Sequence, residues 1–442
     1  MNNMLPPLSA CSYGELDAAL RPVIDGRVVK VVGLLIEGYC SGAAVGDLVS
    51  IGDSGQESTP AEVIGLRDGR VAMVALGDTR GLALGTRLRH MGVSASLQCS
   101  NGMLGRVIDA RGMPLDSGPI PGPFVRRALY ASPPSPLSRS LITEALHVGV
   151  RAVDGPLALG RGQRIGIMAG AGVGKSTLLG TLLRQCDADV VVLALIGERG
   201  REVGEFIHRI LTPESRRKTV LVVATSDQSP LERMRGAFVA TAVAEHFADQ
   251  GKDVLLMMDS LTRFAMAQRE LGLSMGEPPA TRGYTPSVFS LLPKLLERAG
   301  RFSNGSSITG IYTVLVEGDD LADPIGDASR SILDGHIVLS RDLASQGHFP
   351  AIDVLQSVSR VIDSVASPEH QQAARSFRRM LAQLRDAEEL AQIGAYVAGA
   401  DPELDRALQR KPDILRFLQQ SGDGPTPVEQ TVKVMTRISA AQ

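Results

Sequence analysis

Continuous apolar runs alternate with amphipathic segments between about residues 141 and 341 of this chain. The runs are short and rich in Val, Ile and Leu at successive positions, which is typical of strands covered on both faces. Helical spacing of apolar residues separates them, as in Met234–Gln250. This alternation predicts an α/β fold in which a mostly parallel sheet carries helices on both faces. The predicted strands are Ile165–Met168, Val190–Ile196, Thr219–Ala224, Val254–Met258, Ser307–Val316 and His336–Leu339.

The region from Gly26 to about Ser94 consists of shorter β-rich runs. Gly and Asp residues separate these runs at regular intervals, a pattern typical of a small all-β barrel or sandwich. Tyr39 is the only aromatic residue in the region, so the sequence indicates no stacking platform for nucleic acid. The predicted strand runs are Arg27–Ile36, Leu48–Ile51, Ala61–Leu66 and Arg70–Ala75.

Three further regions complete the predicted organisation. Residues 1–25 form a lead-in with one short helix, Tyr13–Leu20, which either docks to a partner or membrane or is a loosely packed terminus. A connector begins at Leu104, and its Gly/Pro/Ser-rich part, Gly112–Pro136, predicts an extended linker with turns. From about residue 364 the pattern is helical and predicts a third, α-helical domain. The predicted helices there are His370–Asp386, Glu388–Gly399, Glu403–Gln420 and a last one introduced by residues 422–427.

The predicted domains are therefore a lead-in (1–25), a β-barrel for assembly (26–95), a catalytic domain (96–363) and a C-terminal helical domain (364–442). The formal net charge is −2, so nothing global indicates a nucleic-acid partner. No apolar run reaches the roughly 18 residues of a membrane span, and the first residues lack the pattern of a secretory signal. The scattered cysteines show no metal-site spacing and fit a reducing compartment. We therefore expect a cytoplasmic protein.

The stretch Arg164–Gln185 joins a predicted strand, a glycine-rich loop and a helix, the arrangement of the phosphate-binding loop in P-loop NTPases. Glycines allow successive backbone N–H groups to converge on phosphate oxygens, and the following helix adds its positive N-terminal dipole. Lys175 is expected to reach the β- and γ-phosphates of ATP, and the Ser176 hydroxyl to bind Mg²⁺. Ala169 replaces the first glycine of the strict pattern, a small departure. The candidate nucleotide-binding residues are Ala169, Gly170, Ala171, Gly172, Val173, Gly174, Lys175, Ser176 and Thr177.

Polar residues follow three of the predicted strands. Asp259 ends an apolar strand, where a carboxylate supports Mg²⁺ directly or through water; it would otherwise cap the helix that follows. Glu198 ends another strand and is a candidate for activating the attacking water. From the residues alone, Glu198 is as well explained by a charge at a helix N-terminus or by a salt bridge to Arg199 or Arg201. Asp227 follows a third strand, and ligands of parallel sheets bind beyond such carboxyl ends.

Two later residues have possible nucleotide roles. Arg360 offers a charge for the phosphates, and an arginine supplied by a neighbouring subunit is a known device in this chemistry, although a surface arginine is the default interpretation. Phe349 is suited to stacking on a nucleotide base, although aromatic residues are more often part of a core. No Asn is followed by Lys, so the base-reading motif of GTPases is absent from the sequence, which favours ATP.

Several long phrases resemble the ATPases of bacterial type III protein export, most closely the flagellar branch, within the superfamily of rotary F/V-type ATPase catalytic subunits. The resemblance spans roughly residues 27 to 420. Besides the phosphate-binding loop, the phrases are Ile196–Val203, Met234–Ala242, Met258–Glu270, Gly276–Tyr284, Glu317–Asp320 and Ile332–Arg341.

The resemblance implies a role for each open candidate. Glu198 would activate water and Arg199 of the same Gly-Glu-Arg phrase would join the catalytic set. Arg360 would act across a subunit interface, and Phe349 would take the position in which relatives place a tyrosine against adenine. Lys175 and Asp259 complete the implied catalytic set, with Ser176 and Asp259 as Mg²⁺ ligands.

The resemblance also implies an assembly and a cellular role. It implies a homohexameric ring of subunits with an N-terminal β-barrel, a RecA-like core and a C-terminal helical domain. The implied partners are a cytosolic stator-like regulator, chaperone–cargo complexes and an export gate at the inner face of the bacterial inner membrane. The phrase Phe264–Glu270 favours the flagellar branch over the virulence-type injectisome. An ATP-synthase subunit, a hexameric RNA translocase and a non-hydrolysing ring subunit fit less well.

Overall fold

A computed structural model of the chain describes residues 25–52, 58–316, 323–421, 424 and 426–440. The predicted helix Tyr13–Leu20 and the phrase Glu317–Asp320 lie outside the described residues. The chain divides after Ala95 into two compact units, the second of which contains both the α/β region and the C-terminal helices.

The first unit contains a closed β-barrel with strands in the order β1-β2-β5-β4-β3-β6. Inward-facing aliphatic residues such as Val49, Val63 and Met73 are fully buried in its core. The predicted single run Arg27–Ile36 is wrong, because the chain turns at Gly33, whose φ is +59°, and makes two antiparallel strands. The barrel strands are β1 (Asp25–Val32), β2 (Leu35–Tyr39), β3 (Asp47–Ile51), β4 (Thr59–Arg67), β5 (Arg70–Ala75) and β6 (Arg87–Ser94).

In the second unit the strands are β7 (Ser96–Cys99), β8 (Val107–Asp109), β9 (Val125–Ala128), β10 (Ala145–Leu146), β11 (Leu159–Gly160), β12 (Arg164–Ala169), β13 (Val190–Ile196), β14 (Thr219–Ala224), β15 (Asp253–Asp259), β16 (Gly300–Arg301), β17 (Ser307–Leu315), β18 (Gly335–Leu339) and β19 (Ile352–Ser359).

The described helices are α1 (Arg151–Asp154), α2 (Lys175–Gln185), α3 (Gly200–Glu205), α4 (Pro213–Arg217), α5 (Pro230–Ala248), α6 (Leu261–Ser274), α7 (Pro286–Leu296), α8 (Pro324–Ile332), α9 (Arg341–Ser345), α10 (Ile362–Val365), α11 (Pro368–Gln392), α12 (Pro402–Leu418) and α13 (Val428–Ser439). Short 3₁₀ turns cover Asn101–Met103, Pro136–Ser138 and Thr281–Gly283, and a π-helical turn, Phe206–Ile210, extends α3. Within the described residues, none of the helices is both long and apolar enough to cross a membrane.

The main sheet has the order β19-β18-β12-β17-β15-β13-β14-β8, and β16 pairs with β17 beside this path. Neighbouring strands from β18 to β8 are parallel, whereas β19 and β16 pair in the antiparallel sense. All seven residues of β13 are buried, as expected for a strand with helices on both faces. The register aligns the carboxyl ends of β12, β13 and β15 at one edge, which therefore positions the site.

The connector between the barrel and the phosphate loop is more structured than predicted. Its Val107–Asp109 stretch is the edge strand β8, and β9 pairs with β7. Arg298 is fully buried, binds both carboxylate oxygens of Glu245 at 2.7 Å and donates a further hydrogen bond to the carbonyl of Leu129 in the connector. The prediction of a simple linker is wrong because Gly and Pro mark turns but do not reveal partners more than 100 residues away.

The C-terminal region is helical, as predicted, but the helix boundary at residue 387 is wrong. Ala387 is buried within the uninterrupted helix α11, which ends at Gln392. Phe377 of α11 and Phe417 of α12 pack edge to face, with ring centroids 5.0 Å apart. This contact lies in one hydrophobic core shared with the α/β region.

Candidate active site

The phosphate-binding loop leaves the buried end of β12 and enters α2. Ala169 is the last residue of the strand and is hydrogen-bonded in the sheet beside Leu315 and Leu339. Gly172 and Gly174 have φ values of +78° and +88°, a left-handed conformation that strains residues with a Cβ. The helix begins at Lys175. The loop therefore has the backbone that a phosphate cradle requires, and Ala169 sits where a side chain is tolerated.

Lys175 is held by two acidic residues from neighbouring strand ends. Its Nζ atom lies 2.5 Å from Oδ1 of Asp259 and 3.6 Å from Oε1 of Glu198. The Thr313 hydroxyl donates to the same Oδ1 atom at 2.7 Å. Asp259 is only 4% exposed, so a buried cation and a hydroxyl compensate its buried charge. Ser260, rather than Asp259, accepts the N-cap hydrogen bond of α6.

Glu198 and Asp259 line one cavity of about 370 Å³ together with Ser176 and Thr177. A Mg²⁺ ion bound with a nucleotide needs few protein ligands, because phosphate oxygens and water supply the rest. A hydroxyl at Ser176 and the carboxylate at Asp259 are hard oxygen donors of the type Mg²⁺ prefers, and Oδ2 of Asp259 is not used by Lys175 or Thr313. The donor set therefore fits Mg²⁺ accompanied by phosphate. No group of three or more His, Cys, Asp or Glu side chains able to hold a metal alone occurs in the described part of the chain.

Glu198 is set apart from an ordinary surface carboxylate by its surroundings. Burial, a hydrogen bond with Glu202 and the negative charge of Asp259 raise the pKa of Glu198 to about 7, although Lys175 opposes this shift. A carboxyl with a pKa near neutrality is suited to accept a proton at physiological pH. The ion pair of Glu198 among the described residues is with Lys175 and not with a neighbouring arginine, and Arg201 pairs with Glu205 at 3.6 Å.

Arg199 and Asp227 lie at the same edge of the sheet but are exposed. Arg199 is the N-cap residue of α3 and its side chain has no ion pair with another residue that the structure describes. The loops carrying Glu198 and Asp227 are joined by a backbone hydrogen bond from Ser226 to the Glu198 carbonyl, at 3.0 Å. Among the described residues, the ion-pair partners of Lys175 are Glu198 and Asp259, and neither Arg199 nor Asp227 contacts it in this way.

Phe349 lies beside the phosphate loop. A Cβ placed on Gly174 would lie 3.4 Å from two of its ring carbons, and the ring side chain is 46% exposed. Phe349 lines a cavity of about 310 Å³, whose walls are mostly apolar. The cavity is lined by Val150, Gly174, Thr177, Leu178, Thr181, Arg184, Phe349, Pro350 and Gln420. An aromatic wall directly beyond the phosphate loop fits a nucleotide base.

Arg360 lies at the opposite end of the sheet from the phosphate loop, where the parallel strands begin. In the register of β18 and β19, Leu339 pairs with Ile352 near the phosphate loop, whereas Gly335 pairs with Ser359 at the far end. At about 3.3 Å per residue, β19 carries the chain roughly 20–25 Å away from that edge. Arg360 is exposed, and its backbone N–H donates to the Asp334 carbonyl at 3.0 Å. It therefore cannot reach the phosphate loop of its own subunit.

Sequence reasoning missed Thr313, Glu202 and Gln420. Thr313 and Glu202 contact Asp259 and Glu198 respectively, and Gln420 lines the Phe349 cavity. Thr313 lies inside an apolar strand, where nothing marks one hydroxyl as special. Gln420 is about 70 residues from Phe349 along the chain, so no local pattern links them.

Family models match three successive parts of the chain. They are the β-barrel domain of the ATP synthase alpha/beta family at residues 27–92, the nucleotide-binding domain of the same family at 149–359, and the T3SS EscN ATPase C-terminal domain at 366–437. A protein of Treponema pallidum named flagellum-specific ATP synthase is 51% identical over 439 residues, covering 98% of this chain and 98% of its own. The chain belongs to the flagellar and type III secretion ATPases.

Solved structures of this ATPase family have the same fold. The assembled ATPase EscN of the enteropathogenic E. coli type III secretion system matches with a TM-score of 0.89 and 46% identity, over 94% of this chain and 100% of that one. EscN in complex with its central stalk EscO matches with a TM-score of 0.87 and 46% identity over the same shares. The predicted family and fold class are confirmed, and the chain is an ATPase of this family. The match of its C-terminal helices favours an export ATPase over an ATP-synthase subunit.

Proposed function

We propose that this protein is the Mg²⁺-dependent ATPase that energises type III export of unfolded flagellar proteins. It would release cargo from chaperones at the export gate. The observation that carries the enzymatic part is the convergence of Lys175, Glu198 and Asp259 at the phosphate loop. The flagellar assignment draws on the flagellar relative at 51% identity over nearly the whole chain.

In this proposal each residue at the sheet edge has a distinct task. Lys175 and the backbone N–H groups of residues 170–177 bind the phosphates, and Ser176 and Asp259 hold Mg²⁺, which neutralises phosphate charge. Asp259, which pairs with Lys175 in this structure, would provide a carboxylate oxygen for the metal, and Lys175 would provide its charge to the phosphates. Glu198 orients the attacking water and accepts its proton. Phe349 stacks on the adenine; it lacks the hydroxyl of a tyrosine, and its ring face alone provides the contact.

Arg360 is the observation that extends the proposal to an oligomer. Since it lies at the end of its own sheet that is away from the phosphate loop, it can stabilise phosphate charge only at a neighbouring subunit. A head-to-tail ring supplies such a neighbour to every site. We propose a homohexamer in which Arg360 and the exposed Arg199 complete sites at subunit interfaces, in keeping with the assembled state named for EscN.

The proposed partners are a stator-like regulator, chaperone–cargo complexes and the gate. EscN has been solved with a central stalk, which supports a stalk or regulator partner for this chain. We propose a cytoplasmic protein that associates peripherally with the inner face of the inner membrane.

The second candidate is the virulence-type injectisome ATPase, favoured by the EscN match at 46% identity. Both candidates share one chemistry and differ in cargo. Expression in a flagellated bacterium lacking its own export ATPase distinguishes them: restored filament assembly supports the flagellar role, and restored effector secretion in an injectisome mutant alone overturns it.

The enzymatic proposal is tested by the Mg²⁺-ATPase rate per subunit over a wide range of protein concentration. A shared-site ring predicts a specific activity that rises with concentration, requires Mg²⁺ and falls about 100- to 10,000-fold in Glu198→Gln. A rate that is independent of concentration and unchanged in the variant contradicts it. A role as an RNA translocase would instead require saturable binding of single-stranded RNA at moderate salt.

A further inference from the structure

The base-binding cavity has a wall that is contributed by the C-terminal helices. Gln420, which follows the end of α12, lines the cavity together with Val150 and Phe349. These residues come from segments that are distant in sequence, so their spacing depends on the contacts that join them. Gln420 makes those contacts.

Gln420 bridges the two sides of the cavity with its backbone and its side chain. Its backbone N–H donates to the Phe349 carbonyl at 3.0 Å. Its Oε1 atom accepts the Arg151 backbone N–H at 2.9 Å, and its Nε2 atom donates to the Gly149 carbonyl at 2.8 Å. Both ends of the carboxamide are therefore engaged, and Gln420 connects the Phe349 carbonyl to residues 149–151.

The side chain of Arg151 also joins the α/β region to the end of α12. Its Nε atom donates to the Phe417 carbonyl at 2.8 Å, and its Nη2 atom donates to the carbonyls of Gln419 at 2.5 Å and Arg416 at 3.2 Å. The last carbonyls of a helix lack partners within the helix and favour a cation. Arg151 thus anchors the end of α12, and with Gln420 it forms what we call the clasp.

The fixed side of the clasp is braced from within the α/β region. Both carboxylate oxygens of Asp154 accept backbone N–H groups, from Val148 at 3.0 Å and Gly149 at 2.7 Å. Burial raises the pKa of this carboxyl to about 7, and the two backbone hydrogen bonds oppose the shift. The loop that presents the Gly149 carbonyl is therefore held in place. The segment around Phe349 is held by hydrogen bonds from the His348 N–H to the Leu343 carbonyl at 2.9 Å and from the Ser340 N–H to the Ala351 carbonyl at 2.8 Å, and Gln420 joins these two sides.

We propose that Gln420 is a positioning residue for the nucleotide base, and that the clasp couples occupancy of the base cavity to docking of α12. This inference rests on the proposed binding of ATP with its base against Phe349. The coupling is reciprocal: a bound base stabilises the docked helix, and a partner that pulls α12 away weakens binding of the base. The phosphate loop lies outside the clasp, so phosphate affinity is unaffected.

Titration calorimetry with Mg·ADP and with Mg·pyrophosphate separates the base from the phosphates. Gln420→Ala should weaken ADP binding about 5- to 20-fold and pyrophosphate binding less than 2-fold, because two side-chain hydrogen bonds to the cavity wall are lost. KM for ATP should rise while kcat changes little. Gln419→Ala is the matched control, since it removes an adjacent exposed carboxamide and keeps the carbonyl that Arg151 binds.

Arg151→Ala provides a second test that leaves every residue lining the base cavity unaltered. It should weaken ADP with the same selectivity, and its effect should not add fully to that of Gln420→Ala. Equal weakening of ADP and pyrophosphate in both variants, or ADP affinities matching Gln419→Ala, would overturn the inference. Failure of the wild-type protein to bind either ligand would instead overturn the proposed function.

Discussion

Lys175 Nζ and Asp259 Oδ1 lie 2.5 Å apart, so the phosphate-binding lysine forms a direct ion pair with the carboxylate expected to hold the metal. Both groups are mostly buried. In the absence of nucleotide each charge compensates the other. With nucleotide bound, the phosphates would compensate Lys175 and Mg²⁺ would compensate Asp259. The pair therefore keeps the lysine ordered at the site without an unpaired buried charge.

Replacing the lysine tests this arrangement. Lys175→Ala should lower kcat/KM for ATP about 100- to 1,000-fold, because it removes a cation that binds the β- and γ-phosphates. It should also lower the free energy of unfolding, since Asp259 remains buried without its cation. Steady-state kinetics and denaturant unfolding measure the two effects. Lys294→Ala, at an exposed lysine near the end of α7, should change neither, and a fully active Lys175→Ala would contradict the account.

The raised pKa of Glu198 predicts the pH dependence of the free enzyme. Only the carboxylate form accepts a proton, so activity requires the group to be deprotonated. With a pKa of about 7, kcat/KM should rise as the pH increases from about 6 to 8 and then level off. A profile that is already flat at pH 6 would show that another group, or a Glu198 of ordinary acidity, governs the reaction.

Glu202 provides a specific check on that assignment. Its hydrogen bond and negative charge both raise the pKa of Glu198. Glu202→Gln should therefore lower that pKa and move the rising limb of the kcat/KM profile to lower pH, without abolishing activity. The comparison is with Glu205→Gln on the same helix, which should leave the limb in place; an unmoved limb in Glu202→Gln would contradict the assignment.

Phe349 should act on the nucleotide base and not on the phosphates. Stacking on an aromatic side chain is worth about 1–3 kcal/mol per base, so Phe349→Ala should raise KM for ATP about 5- to 150-fold with a small change in kcat. Phe349→Tyr should bind ATP at least as well as wild type. Phe124→Ala, at another half-exposed phenylalanine, serves as control. Unchanged KM in Phe349→Ala would place the base elsewhere.

Elements buried on both faces were the most predictable from the sequence. The limits of β13 and β14 follow the apolar runs residue for residue, since every position in these strands is buried. The edge strand β19 was missed because it mixes exposed polar positions such as Gln356 with buried ones. The hairpin at Gly33 was missed because apolar residues continue through the turn.

The phosphate loop and its acidic partners were predictable because short sequence motifs identify them. The pairing of Lys175 with Asp259 follows from strands that end at a common edge. Thr313 and Gln420 were not predictable, because their roles arise from register and from contacts with segments far along the chain. The connector strand β9 was missed for the same reason.

The central claim is that each site is completed by Arg360 of a neighbouring subunit. Arg360→Ala and Glu198→Gln proteins should each be inactive alone, but a mixture contains interfaces where an intact Glu198 faces an intact Arg360. At equal amounts, about one interface in four should be complete, so ATPase activity should reappear on mixing and reach a maximum near a 1:1 ratio. Activity that stays absent at every ratio, in mixtures shown to co-assemble, would contradict the account.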